Sequence, residues 1–200
     1  IIATNDVKKA VNTLHEEFFS DGKKQVNVFI AGVGTVGKKL LAQLAQQAEY
    51  LSENLRLNVR VVGLANSKNI LFDEEGIDLS EPPAVSGGLS ATTQNIADLI
   101  IEKNLRNSIF VDVTASAEVV ENYPKLLEKS VSVIACNKVA ASSEYVKYRK
   151  LKDLSREFGT AFLFETNVGA GLPIINTLND LMRSGDEIRR IEAVLSGTLN

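Results

Sequence analysis

Gly32-Val33-Gly34-Thr35-Val36-Gly37 sets three glycines at the spacing of a turn that can cradle a pyrophosphate. In such a turn Gly32 permits the tight bend, Gly34 lets backbone approach the phosphates, and Gly37 lets the following helix pack close to the preceding strand. Thr35 and Val36 then open a helix whose first N–H groups have no intrahelical partner and point at the ligand. Alone, the pattern is weak, because glycine-rich turns also occur without a ligand. Its weight comes from its context: an apolar run over 26–31 leads into it and a helical period follows from 36.

Where a second strand would end, the chain reads Leu64-Ala65-Asn66-Ser67-Lys68, with no carboxylate until Asp73. A dinucleotide-binding domain that prefers NAD usually carries Asp or Glu there to hold the ribose 2′-hydroxyl, so its absence favours NADP, with NAD still possible. Asn66, Ser67 and Lys68 are the candidates to meet a 2′-phosphate, although a loop lysine is ordinarily just solvated.

Two later strand ends carry further polar residues, Thr114-Ala115-Ser116 and Cys136-Asn137-Lys138. In open α/β sheets ligands lie outside the carboxyl ends of the strands, so both should face the nicotinamide end of a dinucleotide. Position alone leaves Lys138 balanced between that role and a plain surface charge. Cys136 reads as a packing thiol, because the one histidine, His15, lies in a remote helix and supplies no base. A third cluster, Glu165-Thr166-Asn167-Val168-Gly169-Ala170-Gly171-Leu172-Pro173, could turn backbone carbonyls inward beside a carboxylate to make an oxygen-rich cation site. It could equally be a strand-to-helix turn shaped by Pro173.

The elements that must position these residues follow from hydrophobic periodicity. Helices are expected over 6–19, 36–51, 92–104, 118–129, 142–158 and 172–184, and strands over 26–31, 57–65, 109–114, 131–136, 161–165 and 188–195. In the helix over 36–51, Val36, Leu40, Leu41, Leu44 and Ala48 share one face. Residues 67–90 form a polar, Gly- and Pro-containing excursion, with Ile70-Leu71-Phe72 and Ile77-Asp78-Leu79 as short strand or turn pieces. Strands alternating with helices predict an α/β fold, a doubly wound parallel Rossmann sheet followed by the start of a second α+β substrate and dimerisation domain. The expected division is a linker helix over 1–22, the NAD(P)-binding domain over 23–165, and the truncated second domain over 166–200.

A net charge of −3 argues against a basic, phosphate-tracking surface, so nucleic acid is not an expected partner. No apolar run approaches the roughly 20 residues of a membrane span, and no leader opens the chain, so a cytoplasmic setting is expected. One cysteine and one histidine leave no internal disulfide and no cysteine or histidine metal cluster.

Together the glycine turn, Ala65-Asn66-Ser67, Asn137-Lys138, Glu165 through Ile175, Ser184-Gly185-Asp186 and Ser196-Gly197-Thr198-Leu199-Asn200 resemble homoserine dehydrogenase over nearly the whole chain from Val26. The stretch from Val7 through Phe19 looks like the connector of bifunctional aspartokinase–homoserine dehydrogenases. The resemblance implies reversible hydride transfer between NAD(P)H and the aldehyde of L-aspartate 4-semialdehyde, giving L-homoserine on the route to threonine and methionine. It makes Lys138 the candidate for proton transfer or carbonyl polarisation, with Asn137 beside it at the nicotinamide. It assigns Glu165, Val168, Ala170 and Leu172 to a sodium or potassium loop, and Gly197 and Thr198 to a substrate-side turn. Cys136 departs from the family, many members of which carry alanine there; both side chains are small.

Two other classes share part of the pattern. A non-catalytic nucleotide-sensing domain would keep the glycine turn without needing Lys138 or the Glu165 block, and a thioester-forming semialdehyde dehydrogenase would need Cys136 as nucleophile. The family's substrate domain supplies further acidic residues and a second lysine, so this chain is expected to bind dinucleotide without turning over homoserine. Its last strand, with no partner to follow, is expected either to fray or to pair with another copy in a homo-oligomer, with aggregation as the alternative outcome.

Overall fold

The computed structural model describes residues 2–19, 22–86, 89–90 and 93–194. Among the described residues seven strands form one sheet: β1 (Lys24–Ala31), β2 (Leu57–Ala65), β3 (Asn69–Phe72), β4 (Leu89–Ser90), β5 (Ser108–Asp112), β6 (Ser132–Ala135) and β7 (Phe162–Leu163), in the order β4-β3-β2-β1-β5-β6-β7. The helices are α1 (Val7–Phe19), α2 (Thr35–Asn54), α3 (Thr93–Lys103), α4 (Ala117–Val120), α5 (Tyr123–Glu128), α6 (Tyr145–Glu157) and α7 (Ile175–Arg183). The order reverses at β1: β2 lies on one side and β5 on the other. That reversal opens a crevice at the carboxyl ends of β1, β2 and β5, where the polar segments read from the sequence converge.

Val28 through Ala31 and Val61 through Ala65 are buried without alternation, as strands covered on both faces must be. On one face Phe29, Val62, Phe110 and Val133 pack with Ile96, Ile100, Tyr123, Leu126 and Leu151 from α3, α5 and α6. On the other, Val28, Ile30, Val61 and Leu64 pack with Leu41 of α2 and with Val85. The facing stripe of α2 is rotated from expectation: Gly37 and Leu41 are buried, whereas Val36 is 57% exposed beside the glycine turn and Ala48 is also exposed.

Four other expectations are corrected. The sheet is mixed, because β3 runs antiparallel to β2 and β4 antiparallel to β3. The short segment after Ala65 doubles back in a turn, and antiparallel neighbours need no crossover helix. Ile77-Asp78-Leu79 is not a strand; instead, the Ile77 N–H is donated to the Val61 carbonyl. The helix expected over 118–129 is two short helices, α4 and α5, with Pro124 in the first turn of the second, where its missing N–H costs least. The strand expected over 188–195 is absent over its described residues 188–194, which form no ladder. A run without a neighbouring strand has no ladder partner for its backbone groups, and Ile191 and Val194 remain exposed. Gly197 and Thr198 lie outside the described residues. No described helix is long and apolar enough to cross a membrane.

Candidate functional site

Pairing across the first three parallel strands carries on past their ends. Gly32 donates its N–H to the Ala65 carbonyl at 2.8 Å, and Val113 donates to the Ala31 carbonyl at 2.9 Å. The glycine turn is thus clamped between the ends of β2 and β5. Gly32 has φ +103°, and a Cβ there would stand 3.0 Å from both Cγ2 and the carbonyl oxygen of Val113. At Gly37 a Cβ would fall 2.1 Å from the Gly32 carbonyl oxygen, so only glycine lets α2 approach this closely. Gly34 faces open space and is the N-cap of α2 without a side-chain cap, so the first N–H groups of the helix, beginning at Thr35, have no side-chain acceptor at the cap.

Beside this turn lies a cleft of about 540 Å³. Gly32, Asn66, Ser67, Thr114, Ala115 and Ser116 line it, so residues read from three separate strand ends come to one place. Glu118, in the first turn of α4, adds a carboxylate to the wall. In the sequence its position at the start of a helical period carries no signal of a cleft. Asn66 lines the cleft but spends its side chain on the fold: Oδ1 accepts the N–H groups of Lys68 and Asn69 at 2.8 Å each, and Nδ2 donates to the Val85 carbonyl at 3.1 Å. Ser67 and Lys68 are exposed on the turn it holds.

The next strand end is organised from beneath. Asn137, 2% exposed, donates from Nδ2 to Asp112 Oδ2 at 3.0 Å and to the Ser116 carbonyl at 2.9 Å, joining the ends of β5 and β6. Its Oδ1 accepts the Val139 N–H at 3.1 Å. Lys138 follows it, exposed, with no hydrogen bond from its ammonium among the described residues. Asp112, fully buried, also accepts the Tyr123 hydroxyl at 2.6 Å and the Thr114 N–H at 2.7 Å. Burial, and then the adjacent Asp112 carboxylate, push the Tyr123 phenol well above its usual range, so it stays protonated and donates. Cys136 is partly buried and its backbone N–H is donated to the Asp112 carbonyl, as suits a packing thiol.

Asn167 ties in the third cluster by donating from Nδ2 to the Asn137 carbonyl at 3.1 Å. Its Oδ1 is buried with no donor. Here the chain turns through a 3₁₀ segment (Glu165–Asn167), and Gly169 and Ala170 both take positive φ. Both Glu165 carboxylate oxygens are engaged, accepting the N–H of Ile175 at 2.8 Å and of Asn176 at 2.7 Å. The Leu172 carbonyl accepts the Ile174 N–H, while those of Val168 and Ala170 take no hydrogen bond among the described residues. No group of three or more His, Cys, Asp or Glu able to hold a metal ion occurs among the described residues.

Asp112, Tyr123 and Asn167 were missed in the sequence. The signal for Asp112 is a lone charged residue inside the apolar run Ile109-Phe110-Val111-Asp112-Val113, where a strand's burial would be continuous.

Residues 32–165 match the family model described as homoserine dehydrogenase, NAD binding domain. The bifunctional aspartokinase/homoserine dehydrogenase 2, chloroplastic, of Arabidopsis thaliana is 37% identical over 206 residues, covering all of this chain and 22% of its own length. The homoserine dehydrogenase of Schizosaccharomyces pombe is 35% identical over 184 residues, covering 90% of this chain and 49% of its own. Among solved structures, a Candida auris protein of unknown function is 31% identical with a TM-score of 0.70, covering 88% of this chain and 49% of that one. A hyperthermophilic archaeal homoserine dehydrogenase in complex with NADPH, 23% identical with a TM-score of 0.63, shares the fold over 77% of this chain and 48% of that one. The chain therefore spans about half of the single-function relatives and about a quarter of the bifunctional ones.

Proposed function

The chain belongs to the homoserine dehydrogenase family through its NAD-binding domain, and from that premise we propose that it is the nucleotide-binding part of an enzyme interconverting L-homoserine and L-aspartate 4-semialdehyde. The observation that carries the reading is the convergence of the glycine turn, Asn66-Ser67 and Thr114-Ala115-Ser116 on one cleft, with Asn137 joining the next strand end to it and presenting Lys138. The nicotinamide dinucleotide, when bound, donates or accepts the hydride. Gly32, Gly34, Thr35, Val36 and Gly37 hold its pyrophosphate at the uncapped start of α2, where free N–H groups and the helix dipole favour anions. Ser67 and Lys68 face the adenosine ribose, and their lack of a carboxylate supports NADP over NAD. Exposed Val36 supplies an apolar surface beside the phosphates.

Asn137 stands at the nicotinamide end, its backbone carbonyl held by Asn167. Lys138 acts on the substrate oxygen, giving it a proton as the carbonyl is reduced and taking that proton back as the hydroxyl is oxidised. Gly197 and Thr198 complete the substrate side. Residues 23–165 form the nucleotide-binding unit, 1–22 lead into it, and 166–200 begin the substrate and dimerisation part, making the working enzyme a homo-oligomer. The parent polypeptide also carries the aspartokinase of its bifunctional relatives, and its setting is cytoplasmic.

A monovalent cation, sodium or potassium, is the second half of the proposal. The carbonyls of Val168 and Ala170, which take no hydrogen bond among the described residues, are available to it, while the Leu172 carbonyl and Glu165 would share it with their present donors.

Calorimetric titration of this chain with NADPH tests the reading, with saturable binding expected and its loss in Gly37→Ala. No binding by the folded wild-type chain would remove it.

A further inference from the structure

We infer that Asp112 is a positioning residue for the reaction: its buried carboxylate locks Asn137 across two strand ends and so fixes the backbone from which Lys138 projects. The inference rests on the assignment of Lys138 made above. Three observations converge on it. Asp112 is fully buried, yet its donors among the described residues are a phenol, a side-chain amide and a backbone N–H, none of them cationic. Burying a carboxylate without a counter-charge is costly even when it is well hydrogen-bonded, and valine in its place would pack the strand end without that cost.

The second observation is how the donors are distributed. One oxygen holds Thr114, at the cleft wall; the other holds Tyr123, which anchors the carboxylate to α5, and Asn137, which anchors β6. The carboxylate thus connects the cleft wall to the next strand end. The third is that the Lys138 side chain has no anchor of its own among the described residues. Its backbone does: the Lys138 carbonyl accepts from the Ser142 hydroxyl at 2.8 Å and the Ser142 N–H at 3.0 Å, and Asn137 holds the position before it through four hydrogen bonds of 3.1 Å or shorter. A long, flexible ammonium is aimed only as well as the backbone it leaves, and small misplacements of a reacting group are expensive in rate.

Asp112→Asn is nearly isosteric but turns one acceptor into a donor that faces the Tyr123 hydroxyl, the Asn137 amide or the Thr114 N–H. In the full-length enzyme it is expected to lower kcat at least tenfold, to leave KM for the dinucleotide within about threefold, and to raise the primary deuterium isotope effect on kcat as hydride transfer becomes limiting. Asn137→Ser cuts the same link from the other side, and the double variant is expected to lose little more than either single one. Asn27→Ser serves as the stability control, because Asn27 is an equally buried polar residue at the opposite end of the sheet, donating to the Arg106 carbonyl at 2.7 Å. It is expected to lower Tm while leaving kcat unchanged. If Asp112→Asn and Asn137→Ser lower Tm as Asn27→Ser does but keep kcat within threefold, while Lys138→Ala abolishes turnover, Asp112 only holds the fold and the inference is overturned. If Lys138→Ala itself keeps turnover, the reading beneath it is overturned as well.

Discussion

The Glu165 carboxylate accepts the backbone N–H of Ile175 at 2.8 Å, ten residues further on, and so caps α7 from the strand side of the turn. A second bond, from Asn176 at 2.7 Å, makes the cap bidentate. Two orphan donors at the helix start are satisfied by one side chain that also offsets the positive end of the helix dipole. Glu165→Ala is therefore expected to lower stability by about 1 kcal/mol, the ordinary value of an N-cap, and Glu165→Gln by less. Denaturant melts in sodium, potassium and a bulky organic cation check the cation reading at the same time. Wild-type stability that changes with the ion, and loses that sensitivity in Glu165→Ala, is the expected pattern; identical melts in all three leave Glu165 as a cap alone.

Lys138→Ala in the intact enzyme is expected to reduce kcat by about 10²-fold or more, the usual contribution of a positioned acid–base group. Dinucleotide affinity should change less than about threefold, since exposed Lys138 is no part of the cleft wall. Steady-state kinetics beside a fluorescence titration separate the two quantities, and a kcat within a few-fold of wild type would leave Lys138 an ordinary surface charge.

NADPH is expected to bind more tightly than NADH, by about tenfold or more if Lys68 makes one charge-assisted bond to the 2′-phosphate. Lys68→Glu should narrow or reverse the gap by acting on NADPH alone. Competitive titration of the two reduced cofactors decides this, and equal affinities in the wild type would count against the phosphate assignment. Asn66 is a poor target for the same test, because its replacement also releases the turn at Lys68 and the Val85 segment.

Tyr123 gives a pH signature. Its phenol is raised above the ordinary value of 10.0 by burial and by Asp112, so the folded protein keeps a proton that the unfolded chain releases. Stability from this group is full below about pH 10 and falls as pH rises past it. Tyr123→Phe should lose about 1–3 kcal/mol at neutral pH, by removing a hydrogen bond to a buried carboxylate, and should flatten the decline above pH 10. Chemical denaturation between pH 7 and 11 reads both effects; a wild-type alkaline limb as steep as the variant's would mean that Tyr123 is not held neutral by the fold.

The 200-residue chain is expected to bind NADPH without oxidising homoserine, and to self-associate through apolar side chains such as Ile191 and Val194 that stand exposed after α7. Light scattering and a dinucleotide-reduction assay on the same sample check this. Homoserine oxidation above background would place the whole catalytic set within residues 1–200.

Most of the site was legible because its residues sit at strand ends, and the central strands announce themselves as unbroken apolar runs; residues 57–65 read from the sequence coincide with β2. The antiparallel β3 was only half visible, since four residues are too few to show a period and its direction depends on the turn that Asn66 ties. The 188–194 run shows the opposite failure: a stretch rich in apolar and β-branched residues makes a strand only when a neighbour offers its backbone. Asp112 escaped because a pattern search looks for polar residues in loops, and its meaning lies in Tyr123 and Asn137, 11 and 25 residues away.

The bare N-cap of α2 has a consequence for anyone trying to make this protein hardier. Gly34 is where a consensus-based redesign would install serine or aspartate, since either satisfies the first N–H groups and gains a few tenths of a kcal/mol over glycine. The new oxygen would occupy the donors that an incoming phosphate needs, and aspartate would add a repelling charge. Thermal screening alone would score such a variant as an improvement, so selection for heat resistance and selection for nucleotide retention pull this position in opposite directions.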